Sequence, residues 1–94
     1  MNKQLNALGM AKKSGNILTG EKRVLESMKT LKTKPIIFLA SDAGNNIKTK
    51  IQKKCHYYQI LVVDSFDTEQ LSKAIGSTNK KVVALLEPSF YKSD

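Results

Sequence analysis

The sequence feature that most constrains the fold is an apolar run, Pro35-Ile36-Ile37-Phe38-Leu39, which ends in small and polar residues from Ala40 to Asn46. A short uncharged run closed by turn residues is typical of a strand covered on both faces, as in a parallel or mixed sheet. In open α/β sheets, ligands bind beyond the carboxyl ends of such strands. The residues that follow Leu39 are therefore the first place to look for a functional site.

The rest of the chain alternates between helical stripes and short apolar runs. Helices are predicted over residues 1–13, 20–31, 45–57 and 67–75, and strands at 17–18, 35–39, 60–63 and 82–86. This order predicts an α/β fold, a three-layer α/β/α sandwich with a small mixed sheet of about four strands. We expect one domain over residues 1–94. The tail from 88 to 94, which holds Phe90 and Tyr91, either packs on the core or stays loose.

Capping residues mark three of the predicted helix starts. Thr19 or Gly20 is expected to cap the second helix, and either Asn45 or Asn46 the third, because such residues suit the unpaired N–H groups of a first turn. The segment 67–70, Asp-Thr-Glu-Gln, has the form of a capping box for the fourth helix.

The charge distribution points to a polyanionic partner. The chain carries 16 Lys and Arg against eight Asp and Glu, a net charge of +8, and its first 34 residues hold eight of the bases but only two of the acids. A basic segment beside a nearly neutral one most often serves nucleic acid. The alternative is a lysine-rich surface that only keeps the protein soluble.

Several other classes of protein are disfavoured. The longest apolar run is too short to span a bilayer, the amino terminus lacks the apolar core of a signal peptide, and the single cysteine, Cys55, cannot form an internal disulfide. We therefore expect a cytoplasmic protein with no membrane partner. His56 adjoins Cys55, but neighbours on a helix point in different directions and make a poor catalytic dyad or metal site. Asp42 has only Asp64 as a plausible second carboxylate, so we expect no enzyme, metal, cofactor or small-molecule substrate.

Three polar segments remain, at residues 20–23, 41–48 and 76–81. If they meet at one end of the sheet, they form a basic concave surface with backbone donors, hydroxyls and amides. Such a surface suits RNA loops and distorted pairs, which expose base edges and phosphates. Stacking aromatics of the kind used for general single-strand binding are missing from these segments.

Three sequence segments resemble signatures of a known family. They are SGNILTGEKRVL (14–25), IIFLASDA (36–43), and LSKAIG (71–76) followed by VVALL (82–86). Their order and intervals are similar to those of the kink-turn-binding ribosomal protein superfamily, whose best-known members are L-seven-Ae and L-thirty-e. Within it, the chain most resembles the short bacterial YlxQ-type branch, over about residues 2 to 88.

The resemblance implies a non-enzymatic RNA-binding protein that grips the sharply bent internal loop of a kink-turn near its sheared G·A pairs. Carried over by position, the RNA-binding residues are Gly20, Glu21, Lys22 and Arg23 at the second helix, Ser41 and Asp42 after the central strand, Lys48 on the next helix, and Gly76, Ser77 and Thr78 before the last strand. Ser41 and Asp42 are expected in the middle of this edge, with the other segments on either side.

The chain also departs from the family pattern. Gly20-Glu21 replaces the Asn-Glu pair of the L-seven-Ae branch, Ser72 stands where many members have glycine, and Ser77 and Thr78 are more polar than some counterparts. The group that reads guanine is left open by these changes, and affinity and preferred loop sequence are expected to differ.

The leading hypothesis is a monomeric, ribosomal-protein-like RNA binder, associated with the ribosome, with kink-turn RNA as its partner. The alternative is a protein-interaction module of the same fold that does not bind RNA specifically. An enzyme acting at Asp42 comes third.

Overall fold

The computed structural model describes residues 2–30 and 34–91, and within them it confirms the predicted alternation of helices and strands. The helices are α1 (Lys3–Lys13), α2 (Glu21–Thr30), α3 (Asn45–Tyr58) and α4 (Thr68–Ala74). The strands are β1 (Ile17–Thr19), β2 (Ile36–Leu39), β3 (Val62–Val63) and β4 (Val82–Leu85), followed by a 3-10 turn, Pro88–Phe90. The predictions that concern Met1, Leu31 and residues 92–94 lie outside the described residues.

These strands form one mixed sheet in the order β1-β4-β2-β3. β4 pairs antiparallel with β1 and with β2, and β2 pairs parallel with β3. β1, β2 and β3 therefore run in one direction and β4 in the other. Consequently, the carboxyl ends of β1, β2 and β3 and the amino end of β4 lie along one edge of the sheet.

The helices cover the sheet in two pairs, α1 with α4 and α2 with α3. Every residue of β2 and β4 is buried, as expected for strands in the middle of a covered sheet. Each helix adds a fully buried side chain to the same core: Leu8 from α1, Val24 from α2, Ile51 from α3 and Leu71 from α4. The architecture is the predicted α/β/α sandwich.

The strand predicted over 60–63 is shorter and less buried than expected. Only Val62 and Val63 are in β3, and the Leu61 side chain is 53% exposed. The Ile60 N–H donates to the Cys55 carbonyl at 2.8 Å, so Ile60 belongs to the turn that leaves α3. The prediction was wrong about Leu61, which precedes the two-residue edge strand β3, whereas Ile60 and Val63 are buried.

The cap predicted for α3 was also wrong. Gly44 is the N-cap, with extended backbone and no side-chain hydrogen bond, and Asn45 and Asn46 are already helical. The capping box of α4 is confirmed, since the Asp67 carboxylate accepts from the Gln70 N–H at 2.8 Å and the Gln70 side chain accepts from the Asp67 N–H at 3.0 Å.

Tyr91, in the tail that follows β4, packs against the rest of the protein. It is half-buried, its ring meets Phe38 edge-on at 6.2 Å, and its hydroxyl accepts from the Gln4 side chain at 2.8 Å. The tail therefore packs on α1 and the core as far as this residue. Among the described helices, none is long and apolar enough to cross a bilayer.

Candidate functional site

The sheet topology brings two of the predicted segments and the start of the third, 41–48, to one edge, which we call the loop edge (residues 20–23, 41–42 and 76–81). Two backbone hydrogen bonds fix their spacing: the Gly20 N–H donates to the Val82 carbonyl at 3.4 Å, and the Ala40 N–H donates to the Lys81 carbonyl at 2.8 Å. The start of β4 therefore lies between the ends of β1 and β2. The segment at 76–81 is the middle of the edge, and the expectation that Ser41 and Asp42 occupy the middle was wrong, because β4 inserts between β1 and β2.

Gly20 leaves the backbone at the start of α2 open to solvent. Its φ is +93°, a conformation that side chains rarely adopt, and a Cβ there would meet nothing within 4 Å. Its carbonyl accepts the N–H of Val24 at 3.0 Å, so α2 begins directly after it. A ligand can approach this helix start without meeting a side chain from Gly20.

Glu21 is held by α3. Its carboxylate lies 2.8 Å from the Lys50 ammonium, and it occupies the first turn of α2, where the helix dipole favours an acid. Lys22 and Arg23, which follow it, are exposed. The amino end of α2 therefore presents two cations beside an acid that already has a partner.

The loop over residues 76–81 is fixed by α4. Ser72 is buried, its hydroxyl accepts the Lys80 N–H at 2.8 Å, and its carbonyl accepts the Ser77 N–H at 2.8 Å. Gly76 and Asn79 both have positive φ, 66° and 54°, which lets the loop turn tightly. Ser72, where many members of the resembled family have glycine, thus anchors this loop through its side chain.

Two grooves flank the loop, and Ser77 lines both. The α4 groove, of about 520 Å³, lies between Asp42, Thr68 and the loop. The α1 groove, of about 340 Å³, lies between the end of α1, β1 and the loop. The loop at residues 76–81 is thus a ridge between two depressions, so the loop edge is not the single concave surface that was expected.

Lys48 takes no part in these grooves among the described residues. It is half-buried in the first turn of α3, and its N–H donates to the Gly44 carbonyl at 3.0 Å. Lys80 and Lys81, which were not among the predicted contacts, line the α1 and α4 grooves respectively. Their place in the same polar segment as Gly76 was the signal that could have identified them.

Cys55 is buried in the core as predicted, and burial raises the pKa of its thiol to about 11. A thiol with so high a pKa is a poor nucleophile at neutral pH. Within the part of the chain that the structure describes, no three side chains of His, Cys, Asp or Glu are grouped so that they could hold a metal ion.

Comparison with known proteins places the chain in a family. The sequence model of the ribosomal protein L7Ae/L30e/S12e/Gadd45 family matches residues 2–93 of this chain. The chain belongs to this family. This confirms the resemblance seen in the three sequence segments.

Relatives in this family are similar along most of their length. The RNA-binding protein YlxQ of Enterococcus faecium is 31% identical over 90 residues, covering 96% of this chain and 85% of the relative. The RNA-binding protein YlxQ of Bacillus subtilis (strain 168) is 28% identical over 83 residues, covering 88% and 82%. The assignment of this chain to the YlxQ-like bacterial branch of the family is therefore confirmed.

Solved structures support the same fold. A protein of unknown function from Bacillus halodurans C superposes with a TM-score of 0.89 at 32% identity, over 97% of this chain and 91% of that one. The Giardia lamblia 15.5 kD RNA-binding protein superposes with a TM-score of 0.78 at 16% identity, over 90% and 72%, which shows the fold alone.

Within the family fold, Asp42 ties the end of β2 to the start of α4. One oxygen of its exposed carboxylate accepts the Thr68 hydroxyl at 2.7 Å and the Thr68 N–H at 2.9 Å. These bonds, the hydroxyl first, hold the pKa of the Asp42 carboxyl below its ordinary value. The sequence placed Asp42 correctly at a strand end but did not reveal that a residue 26 positions away orients it.

The Thr68 hydroxyl can be tested by its effect on this pKa. Because the pKa of Asp42 is lowered by folding, the bond stabilises the fold above the ordinary carboxyl pKa, and this contribution is lost as the pH falls through the folded pKa. We expect Thr68→Val to raise the Asp42 pKa, measured by NMR titration of its side-chain carbon, and Thr49→Val on exposed α3 to leave it unchanged. An Asp42 pKa that stays the same in Thr68→Val would contradict this assignment.

Proposed function

We propose that this protein is a non-enzymatic RNA-binding protein that recognises kink-turn RNA, acts as a cytoplasmic monomer and associates with the ribosome. The observation that carries the proposal is the loop edge, where open backbone at Gly20 adjoins a fixed cationic loop. The relatives named as RNA-binding proteins, together with membership of a ribosomal protein family, support RNA as the partner.

The charges at the loop edge favour a polyanion. Glu21 is paired with Lys50, whereas Asp42 keeps its negative charge and accepts from Thr68 through one oxygen. Lys22 and Arg23 are exposed, and no salt bridge joins either of them to a carboxylate within residues 2–30 and 34–91. Exposed cations that have no carboxylate partner are available to neutralise phosphates.

The shape of the loop edge favours bent RNA over a regular helix. A regular A-form helix offers mainly its sugar-phosphate backbone to a protein, whereas a kinked internal loop exposes base edges and brings two strands together. The ridge at residues 76–81 projects between two grooves, and the exposed start of α2 lies at one side of it. A ridge of this form fits a concave bend in RNA better than it fits a straight duplex.

The proposal is tested by binding of a kink-turn RNA and of a plain duplex of equal length, each followed by fluorescence anisotropy between about 50 and 200 mM salt. We expect the kink-turn to bind at least about tenfold tighter at the higher salt, where non-specific attraction is weak. Equal affinity for the two RNAs would contradict the proposal that the protein recognises kink-turn RNA.

Lys22 provides a matched test of the surface. We expect Lys22→Ala to weaken kink-turn binding by about three- to tenfold and to make the salt dependence shallower by roughly 0.7–0.9 in log–log slope, because one phosphate contact is lost. Lys54→Ala removes the same charge from the last turns of α3 and serves as the control. Equal losses in the two variants would show that binding depends on overall charge and not on this edge.

The alternative function, a protein-interaction module, would be recognised from the molecules that copurify with the protein. A protein partner would then stay bound after nuclease treatment, and the purified complex would show no absorbance from nucleic acid. In that case neither RNA should bind measurably at moderate salt.

A further inference from the structure

The α1 groove is a second cationic feature beside the loop edge. Its rim carries Lys12 from the end of α1, Arg23 from α2 and Lys80 from the loop, and Ile17 and Ile75 contribute apolar surface. We propose that this groove binds the sugar-phosphate backbone of an RNA strand that continues past the loop edge. The inference rests on the proposed function and extends the RNA-binding surface to Lys12 of α1, a helix that holds none of the predicted contact residues.

The lining of the groove is unusual in its charge. Three cations come from three different elements, and none of the residues that line the groove is an acid. In the described part of the chain, no salt bridge neutralises Lys12, Arg23 or Lys80. Cations that border one depression attract an anion to it, and a phosphate backbone supplies anions at regular spacing.

Lys12 is positioned for this role by the fold. Its ammonium donates to the Ile75 carbonyl at the end of α4 at 3.3 Å, and both residues line the groove. A carbonyl does not cancel the charge, and an ammonium has three donors, so the others stay available to a phosphate oxygen. The side chain is thereby held over the groove instead of extending freely into solvent.

The groove is continuous with the loop edge, which identifies its occupant. Arg23 belongs to the loop edge and also lines the groove, and Ser77 lines the grooves on both sides of the loop. A strand bound at the exposed start of α2 would pass Arg23 and enter the groove directly. A kinked RNA has two stems that leave the bend in different directions, so one stem can lie on this side while the bend sits on the ridge.

The neighbouring residue, Lys13, provides a matched control. Lys12 and Lys13 are adjacent, both are exposed and both lie in the last turn of α1, but Lys13 lines a different depression, with Leu5 and Met10. Lys12→Gln keeps a hydrogen-bond donor for the Ile75 carbonyl and removes the charge. Lys13→Gln removes the same charge from a side chain that does not line the groove.

The experiment measures binding of a kink-turn RNA to the full chain and to both variants over a salt series. We expect Lys12→Gln to weaken binding about three- to tenfold at low salt and to reduce the log–log salt slope by roughly 0.7–0.9, and Lys13→Gln to change neither appreciably. Repeating the series with each stem shortened in turn should abolish the difference between Lys12→Gln and the unmodified chain for one of the two stems.

The outcomes separate this inference from the proposed function. Kink-turn binding by the unmodified chain together with identical behaviour of the two variants would overturn the groove assignment and leave the loop edge intact. The same holds if the effect of Lys12→Gln is independent of both stem lengths. Failure of the unmodified chain to prefer the kink-turn would overturn both proposals, and thermal unfolding of each variant shows whether a loss comes from the fold.

Discussion

Replacing Phe38 by alanine is expected to lower the free energy of unfolding by about 3–5 kcal/mol. Phe38 is fully buried in the central strand β2. The centroid of its ring lies 6.5 Å from that of Phe66 and 6.2 Å from that of Tyr91. The change removes this apolar surface and leaves a cavity that packed neighbours can fill only in part. Since domains of this size are stable by roughly 5–15 kcal/mol, the variant should unfold at a much lower denaturant concentration.

Tyr57→Ala is the matched control for this prediction. Tyr57 is also aromatic, but its side chain is 76% exposed at the end of α3, so we expect a change within about 0.5 kcal/mol. Chemical denaturation of the three proteins gives both values. A loss in Phe38→Ala no larger than that in Tyr57→Ala would contradict the position of β2 at the centre of the core.

Reversing the charge of Arg23 is expected to weaken kink-turn binding by about 100-fold at low salt. Arg23 is exposed and lines the α1 groove as well as a second depression along α2, which Leu18 and Lys22 also line, so it borders both. Arg23→Glu removes an attraction and adds a repulsion, each worth about 1 kcal/mol in water and more near a protein surface. A total of roughly 3 kcal/mol corresponds to the stated factor.

Lys54→Glu carries the same type of reversal to the far end of α3 and should reduce binding by much less. Arg23→Lys separates charge from shape, because lysine keeps the charge but loses the planar fork that suits phosphate. We expect it to fall between the unmodified chain and Arg23→Glu. If Arg23→Glu and Lys54→Glu lose affinity equally, binding is governed by net charge and the loop edge is not the RNA-binding surface.

The order of the elements could be predicted from the sequence because it depends on local patterns. The uncharged apolar run from Ile36 to Leu39 was assigned correctly to a buried strand, and the capping box of α4 was identified from Asp67 and Gln70. Both signals depend on residues within a few positions of one another. The family resemblance rested on local segments too, and the family model confirms it.

The errors concern properties that depend on distant parts of the chain. Leu61 is as apolar as Leu39, but Leu61 precedes the edge strand β3 and Leu39 lies in the central strand β2, and no local pattern distinguishes the two positions. The loop at 76–81 lies in the middle of the loop edge because β4 pairs between β1 and β2. This pairing joins distant parts of the chain, so no local pattern predicts it either. The α3 cap failed differently, because Gly44, Asn45 and Asn46 are all acceptable caps and the sequence does not choose among them.

The candidate site was predicted as a set of segments and not as a set of contacts. The role of Ser72 in fixing the loop, and the bonds from Thr68 to Asp42, depend on side chains that meet only after folding. Lys12 was not among the predicted contacts, whereas in the fold it lines the α1 groove and its ammonium donates to the Ile75 carbonyl. The RNA-binding roles of the ten predicted residues stay predictions until binding is measured.

The most direct test of the proposed RNA-binding surface is an NMR titration of the isotope-labelled chain with a kink-turn RNA and with the same RNA in which Watson–Crick pairs replace the sheared G·A pairs. We predict that the kink-turn shifts the amide signals of residues 20–23, 41–42 and 76–81 most strongly, and that the substituted RNA shifts them far less at the same concentration. Equal shifts with the two RNAs, or the largest shifts around the exposed Tyr57 and Leu61, would contradict the proposal that the loop edge recognises kinked RNA.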